Sequence, residues 1–157
     1  MKLALVTGSS SGIGKSTVID LLNAGWNVIA SMRKSERGHE IFETEIQKFG
    51  AKLDIQELDV ISENDMKKIV QLIDEKYSEK LDLLVNNAGY GLYSTLEEAT
   101  PEQIRNQMEV NFFGTTFLTK RLLPSIRRAK GRVMIISSIM GNTSMPLSSL
   151  YSASKYA

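Results

Sequence analysis

Short apolar runs alternate along this chain with segments of helical periodicity, and this alternation limits the possible folds more than any other feature. The apolar runs lie at residues 3–6, 28–30, 53–58, 81–85 and 132–136. Helical patterns occupy residues 13–24, 36–49, 63–77 and 101–128, and a last one starts near residue 149. Continuous apolar runs are typical of parallel strands buried on both faces. The alternation therefore predicts an α/β fold, a doubly wound parallel sheet of five strands in a single domain, residues 1–157.

Capping signals mark the starts of two of the predicted helices. Ser62 precedes the pattern that begins at residue 63, and Asp65 stands where a capping box places its acid. Pro101 follows Thr100, and the first helical turn tolerates proline. These signals predict Ser62 and Thr100 as helix caps.

Charge and composition exclude several classes of function. The chain has 19 Lys and Arg against 18 Asp and Glu, so nothing indicates nucleic acid or an anionic membrane as a partner. It has no cysteine, which excludes disulfides and thiol nucleophiles, and His39 stands alone without a metal-binding or triad partner. No apolar run has membrane-spanning length and no signal-peptide pattern precedes the first strand. We expect a cytoplasmic protein without a metal site.

A glycine-rich turn joins the first strand to the first helix and reads Thr-Gly-Ser-Ser-Ser-Gly-Ile-Gly at residues 7–14. Glycines allow the backbone to approach a ligand closely, and the N-terminus of the following helix suits a pyrophosphate. The turn predicts a dinucleotide-phosphate site made of Gly8, Ser10, Ser11, Gly12, Ile13 and Gly14. A loop without a ligand is the alternative interpretation.

A P-loop is a further alternative, because Lys15 and Ser16 follow Gly14. A P-loop needs four residues between its two glycines, whereas five separate Gly8 from Gly14. No predicted strand ends in a convincing magnesium-binding aspartate either. A P-loop nucleotide-binding protein therefore fits the spacing less well than a dinucleotide-binding one.

Four later motifs occur in a fixed order on the predicted elements. Asn-Asn-Ala-Gly follows the fourth strand at residues 86–89, Asn111 lies within a long helix, Ser138 ends the fifth strand, and Tyr151 and Lys155 form Tyr-x-x-x-Lys. Together with the glycine turn, these motifs resemble the short-chain dehydrogenase/reductase family over the whole chain. The resemblance implies a Rossmann-like fold and an oxidoreductase that uses a nicotinamide cofactor.

The resemblance implies a role for each residue of the catalytic set. Tyr151 would exchange a proton with the substrate, and Lys155, four residues later on the same helix face, would bind the nicotinamide ribose. A nearby ammonium group favours the phenolate form of a tyrosine. Ser138 would hold the substrate oxygen, and Asn111 would bind a water that links Lys155 to solvent. The cofactor itself would carry the hydride.

The end of the second strand predicts the choice of cofactor. An acidic residue there usually binds the ribose of NAD, whereas an arginine accommodates the 2′-phosphate of NADP. The chain has Ser31, Met32 and Arg33 at this place and no carboxylate. We therefore expect NADP(H) rather than NAD(H), with Ser31 and Arg33 at the phosphate; a solvated basic turn is the alternative. The resemblance assigns further cofactor contacts to Asp59, Val60, Asn87, Ala88 and Gly89, in addition to Tyr151 and Lys155.

Substrate and assembly follow from the resemblance only in outline. A small-molecule alcohol or ketone, lipophilic in character, is expected. Apolar side chains near the motifs suit either a substrate pocket or plain core packing: Tyr90, Leu92, Tyr93, Met140, Met145 and Leu147. Family members continue beyond the Tyr-x-x-x-Lys motif, so we expect this chain to be C-terminally incomplete and to lack the last strands. A dinucleotide-binding module without turnover is therefore the second interpretation. The full-length protein is expected to be a homodimer or homotetramer.

Overall fold

Five parallel strands form one sheet in the order β3-β2-β1-β4-β5 in the computed structural model, which describes residues 2–157. The strands are β1 (Leu3–Val6), β2 (Asn27–Met32), β3 (Leu53–Glu57), β4 (Leu83–Asn86) and β5 (Arg132–Ile135). The chain builds outward from β1 to β3 and then returns to place β4 on the other side of β1. The predicted doubly wound sheet is thus confirmed, and its order reverses between β1 and β4, where such sheets bind ligands.

Helices lie on both faces of this sheet, whereas the edge strand β5 is exposed along its whole length, unlike the buried strand that its apolar run predicts. They are α1 (Gly12–Asn23), α2 (Gly38–Ile41), α3 (Glu43–Phe49), α4 (Glu63–Lys76), α5 (Pro101–Met108), α6 (Thr115–Ala129) and α7 (Ser149–Tyr156). A π-helical segment, Glu109–Gly114, joins α5 to α6, and a 3-10 turn, Ile139–Gly141, follows β5. None of the described helices is long and apolar enough to cross a membrane.

The central strands bury their side chains on both faces, as their continuous apolar sequences predict. Every residue of β1 and β2 is buried. Alternate side chains point to opposite faces of a strand, so Leu5 packs into the core under α4 and α6 while Val6 packs under α1. Two apolar cores, one on each face, thus hold the sheet and position the ends of its strands.

The prediction of one uninterrupted helix over residues 36–49 is wrong. A 3-10 turn, Ser35–Arg37, comes first, and Phe42 separates α2 from α3 with φ −116° and ψ 24°. The Phe42 side chain is completely buried in the core against β2. Gly38 lies so close to Ile55 that a Cβ atom there would collide with it. The break allows this segment to approach the sheet and insert Phe42.

The two predicted helix caps are present, but the acid of the Ser62 cap, Asp65, does not bond Ser62 N as a capping box would. The Thr100 hydroxyl accepts a bond from Gln103 N, and the Gln103 side chain accepts one from Thr100 N, which completes a capping box. The Ser62 hydroxyl accepts from Asp65 N at 3.2 Å. The Asp65 carboxylate accepts from the backbone of Asp59 at 3.1 Å instead of from Ser62, and so ties α4 to the end of β3.

A buried carboxylate fastens the other end of α4 to β3. Asp54 accepts hydrogen bonds from Lys76 Nζ at 2.6 Å, Tyr77 Oη at 3.0 Å and Gln56 Nε2 at 2.5 Å. Burial alone would raise the pKa of Asp54, but the bonds from Lys76 and Gln56 outweigh it and lower that pKa overall. Burial and the adjacent Asp54 charge raise the pKa of Tyr77 to about 12. The ionised carboxylate is therefore the stable form in the folded protein.

We predict that Asp54→Ala lowers the free energy of unfolding by about 1–2 kcal/mol at neutral pH, because three donors lose their acceptor while Lys76 stays largely hydrated. The folded-state pKa lies below the unfolded value of about 4. The contribution is therefore complete above that value and is lost as pH falls through the folded pKa. Urea unfolding between pH 7 and pH 2 measures it. Asp74→Ala, which removes an exposed carboxylate on α4, is the control; equal acid sensitivity of both variants would contradict the assignment.

Candidate active site

A cleft of about 900 Å³ opens at the carboxyl ends of the strands, over the point where the sheet order reverses. Most of the predicted cofactor residues line it: Gly8, Ser10, Ser11, Ile13, Arg33, Asp59, Val60, Asn87, Ala88, Gly89, Tyr151 and Lys155. Five predicted site residues do not line the cleft: Gly12, Gly14, Ser31, Asn111 and Ser138. Motifs far apart in the sequence are thus gathered at one place.

The glycine turn packs directly against the segment that follows β4. Gly8 has φ +64°, and a Cβ atom there would lie 2.9 Å from Ala88 Cα. A Cβ atom at Gly14 would lie 2.5 Å from both Asn87 Nδ2 and Gly8 O. Gly12 has φ +53° with open space around it, so glycine is favoured there by the backbone conformation and not by close packing. Glycine is therefore needed at position 14 because the two segments pack closely there. At position 8 it is needed both for close packing and for the positive φ.

Hydrogen bonds from Thr7 and Asn87 hold these two segments together. The buried Thr7 hydroxyl accepts from the backbone N–H groups of Asn87 at 3.0 Å and Ala88 at 2.9 Å. The Asn87 amide in turn donates to Thr7 O at 2.9 Å and Gly8 O at 3.0 Å. Sequence reasoning missed this role of Thr7. A threonine at the end of the first strand, ahead of the glycine turn, was the available signal.

The N-terminus of α1 faces the cleft without a side-chain cap. Ser11 occupies the capping position in an extended conformation, and its hydroxyl bonds none of the helix N–H groups. The first turn of α1 contains no acidic residue. Backbone donors and the positive end of the helix dipole are therefore presented to an anion in the cleft.

Ser31, predicted to contact the cofactor phosphate, lies near the end of β2. Its side chain is fully buried and does not line the cleft, and its hydroxyl donates to Val6 O at 3.1 Å. Its carbonyl oxygen accepts from both N and Oγ of Ser9 at 3.0 Å. Ser31 thus ties β2 to β1 and to the glycine turn, and its contact with a cofactor phosphate stays a prediction. Met32 and the exposed Arg33 line the cleft, and Arg33 forms no ion pair within residues 2–157.

The end of β3 contributes Asp59 and Val60 to the cleft wall. Asp59 Oδ1 accepts from Ile61 N at 3.2 Å, which closes a short side-chain turn. Ser62 caps α4, so Asp59 is not the helix cap. Asp59 and Arg33 both line the cleft.

Tyr151 and Lys155 lie together on α7 and both line the cleft. Lys155 Nζ is 6.0 Å from the centroid of the Tyr151 ring and donates to Ile136 O at 3.0 Å. The Tyr93 ring is tilted by 51° to the Tyr151 ring, with its centroid 5.8 Å from that of Tyr151. An ammonium group and an aromatic side chain thus both lie close to the phenol ring, at the surface of the cleft.

Ser138 caps the 3-10 turn after β5, where its hydroxyl oxygen accepts from Met140 N at 3.2 Å. Its neighbour Ser137 lines the cleft instead. The hydroxyl proton of Ser138 remains available, because the hydroxyl acts only as an acceptor in that bond. A Cβ atom at Gly141 would lie 2.7 Å from Lys155 O, so glycine there lets the turn approach α7.

Asn111 lies in the π-helical segment, a feature that periodicity did not predict. Its side chain is buried, accepts from Tyr90 N at 3.1 Å, and donates to Tyr90 O and Ser154 Oγ, both at 2.9 Å. A Cβ atom at Gly89 would lie 3.0 Å from Asn111 Oδ1 and 3.7 Å from Lys155 Nζ. Segments of this kind frequently mark functional sites. The predicted water-binding role of Asn111 stays a prediction; its visible partners are Tyr90 and α7.

The apolar residues near the motifs divide between core and surface. Met140 is buried, and its sulfur lies 3.7 Å from Ser148 Oγ, so it belongs to the packed interior. Large exposed fractions remain on Tyr90, Tyr93, Met145 and Leu147, at 41%, 62%, 53% and 55%. Internal packing leaves these four side chains uncovered, and one of them, Tyr93, contacts Tyr151.

The position of Lys15 disfavours the P-loop alternative. Its ammonium lies 6.0 Å from the centroid of the Phe42 ring, on the flank of α1, and it does not line the cleft. A P-loop lysine reaches the phosphates held by the glycine turn. Lys15 therefore does not occupy the place that this function requires.

Comparison with known proteins agrees with this geometry. A family model described as short chain dehydrogenase matches residues 2–157. The chain is 36% identical to 11-beta-hydroxysteroid dehydrogenase-like 3 of Arabidopsis thaliana, over 99% of this chain and 50% of that protein. It is 35% identical to 3-ketodihydrosphingosine reductase of Bacteroides thetaiotaomicron, over 99% of this chain and 54% of that protein. The chain thus spans about half the length of these curated relatives.

A solved structure shares the fold over the whole chain. It is an alcohol dehydrogenase from the archaeon Thermococcus sibiricus, complexed with 5-hydroxy-NADP. The TM-score is 0.93 at 28% identity, and the match covers 100% of this chain and 66% of that one.

We predict that Gly14→Ala lowers the free energy of unfolding by about 1–3 kcal/mol, because the new methyl group must displace Asn87 or Gly8 in a packed contact. Ser16→Ala, at an exposed position in the same helix, is the matched control and should change stability by less than about 0.5 kcal/mol. Urea unfolding followed by the fluorescence of Trp26 measures both. Equal stabilities of the two variants would show that the contact between the turn and Asn87 is not tightly packed.

Proposed function

Because this chain belongs to the short chain dehydrogenase family, we propose that it forms the cofactor-binding and catalytic part of an NADP(H)-dependent oxidoreductase acting on an alcohol or ketone. The observation that carries the proposal is the convergence of the glycine turn, Tyr151 and Lys155 on one cleft. When bound, the nicotinamide cofactor supplies or accepts the hydride, and the protein orients it.

The glycine turn fits the pyrophosphate of a dinucleotide. The uncapped N-terminus of α1 offers backbone donors, and Gly8 and Gly12, which adopt positive φ, place no side chain in the approach. Ser10, Ser11 and Ile13 complete this part of the wall. Asn87, Ala88 and Gly89 would hold the nicotinamide half of the cofactor, and Asp59 and Val60 the adenine half.

Arg33 supports the choice of NADP(H). Its guanidinium group is exposed at the cleft, has no acidic partner among the described residues, and can fork to a phosphate. Met32, beside it, is buried and carries no charge, so nothing at the end of β2 would repel a 2′-phosphate. The solved relative in complex with 5-hydroxy-NADP agrees with this choice.

Tyr151 would exchange the proton of the substrate oxygen, as a base in alcohol oxidation and as an acid in ketone reduction. The Lys155 ammonium lies 6.0 Å from the centroid of the Tyr151 ring and would bind the cofactor ribose. The available hydroxyl proton of Ser138 would be donated to the substrate oxygen. Asn111 supports the set through its bonds to Tyr90 and Ser154.

The substrate is proposed to be lipophilic. The exposed side chains of Tyr90, Tyr93, Met145 and Leu147 surround the approach to Tyr151 and would be covered by an apolar ligand. Relatives named for hydroxysteroid and ketodihydrosphingosine chemistry agree with such a substrate.

Self-association of the whole protein is also proposed. The rings of Phe113, in the π-helical segment, and Phe117, in α6, stack with centroids 5.8 Å apart, and both side chains are exposed. An exposed aromatic pair of this kind suits a homodimer or homotetramer contact.

We predict that Tyr151→Phe lowers kcat by about 100- to 10,000-fold, because the proton donor is lost while the ring contact with Tyr93 is kept. NADPH affinity should change by less than about threefold, since one hydroxyl at the edge of the cleft is removed. Steady-state kinetics and fluorescence titration measure the two quantities. Tyr156→Phe, exposed on the same helix, is the control, and near-wild-type turnover of Tyr151→Phe would refute the catalytic assignment.

We predict that Arg33→Ala weakens NADPH binding by about 10- to 100-fold and leaves NADH binding unchanged, because only NADPH carries the 2′-phosphate. Fluorescence titration of the reduced nicotinamides with this chain measures both affinities. Arg37→Ala, exposed and outside the cleft lining, is the matched control. An equal loss for both cofactors would mean that Arg33 does not read the phosphate.

A further inference from the structure

Gln107 is a fully buried polar side chain whose hydrogen bonds all go to the segment that follows β4. Its Oε1 accepts from Leu92 N at 2.7 Å, and its Nε2 donates to Tyr90 O at 2.9 Å. Both ends of the amide are therefore used, and the two bonds hold alternate residues of one backbone segment. A buried amide is stable only with such partners.

Gln107 and Asn111 act on this segment side by side. They are four residues apart across the junction of α5 and the π-helical segment, so their side chains share a face. Both amides donate to Tyr90 O, and Asn111 also accepts from Tyr90 N. Together they form a two-amide clamp, Gln107 with Asn111, on residues 90–92.

The clamped segment connects the two sides of the proposed active site. At its start, Gly89 lies beside Asn111 Oδ1 and Lys155 Nζ. Just beyond its end, Tyr93 packs on the Tyr151 ring at 5.8 Å. A Cβ atom at Gly91 would lie 2.9 Å from Tyr93 Cε2 and 3.5 Å from Tyr151 Cγ, so the backbone itself passes close to both rings.

We propose that Gln107 is a positioning residue that sets Tyr93 against Tyr151 by fixing the backbone of residues 90–92. It does not line the cleft, and none of its hydrogen bonds goes to Tyr151 or to Lys155. Its effect on turnover rests on the proposed function, whereas its effect on the segment does not. A displacement of about 1 Å at a reacting group is enough to slow chemistry by about 100-fold.

Hydrogen exchange tests the clamp in this chain without any turnover. Gln107→Met keeps the volume and removes both bonds, so the Leu92 amide should exchange about 10- to 100-fold faster than in the wild type. The nuclear Overhauser contact between the rings of Tyr93 and Tyr151 should weaken with it. Leu122→Ala, a core variant on α6 away from the segment, is the control for general destabilisation and should leave the ring contact intact.

Kinetics of Gln107→Glu give a second, independent test. The protonated carboxyl can donate to Tyr90 O and accept from Leu92 N, whereas the ionised form cannot donate. Burial raises the pKa of a carboxyl group. The kcat of this variant should therefore approach the wild-type value at low pH and fall about 10- to 100-fold as pH rises through that pKa, an ionisation absent from the wild type. NADPH affinity should stay within about twofold.

The outcomes separate this inference from the proposed function. Unchanged Leu92 exchange and an intact ring contact in Gln107→Met would overturn the positioning role, whatever the turnover. Faster exchange with a lost ring contact supports it, even if the wild type fails to bind NADPH, a result that would refute only the proposed function. In a protein that does turn over, a wild-type kcat for Gln107→Met would also overturn it.

Discussion

The contact between the glycine turn and the Asn-Asn-Ala-Gly segment is the constraint on which the rest of the site depends. Gly8 and Gly14 have no room for a Cβ atom because Asn87 and Ala88 lie against them. Thr7 and Asn87 then exchange four hydrogen bonds with the facing backbone across this contact. The bonds are short, partly buried and made by small side chains, so the contact loses little entropy on folding. It fixes the ends of β1 and β4 relative to each other, and these two ends define the place where the sheet order reverses.

Everything that faces the cleft is positioned from this contact outward. On one side, Ser31 and Ser9 carry the register of β1 to β2, which places Arg33 at the cleft. On the other side, the chain leaves Gly89 and is bonded at Tyr90 by Asn111, whose amide also bonds α7 at Ser154. Lys155 closes the ring of contacts by donating to Ile136 O at the end of β5. Backbone atoms at strand ends thus carry most of the geometry, which is why motifs separated by more than a hundred residues meet.

The sequence predicted those parts of the fold and site that depend on local pattern. Continuous apolar runs identified all five strands, although β5 is exposed, and the positions of the caps at Ser62 and Thr100 were correct. The failures share a physical cause, since each depends on a partner distant in sequence. Phe42 breaks its helix to reach the core, and the helix at Asn111 widens where its side chain bonds Tyr90 and Ser154. The Ser31 hydroxyl bonds Val6 O of β1, and Gln107 gains its role only through its bonds to Leu92 and Tyr90. A spacing of four between two amides was the one local sign of Gln107, and it does not by itself distinguish a clamp from an exposed face.

The glycine turn and the segments near Tyr93 are held by different means. The cleft wall at the glycine turn is made of strand ends and glycines locked by backbone contacts. Near Tyr93, two irregular segments are joined by a backbone bond from Ser94 N to Leu147 O at 2.9 Å. Leu147 has φ +65°, a left-handed conformation that costs a leucine about 1–2 kcal/mol. Ser148, fully buried, accepts from Met145 N and donates to Met145 O, and so maintains the turn that imposes this strain. Side chains on these two segments can therefore change without disturbing the glycine turn, provided that the bonds of Gln107 and the turn at Ser148 keep the segments in place.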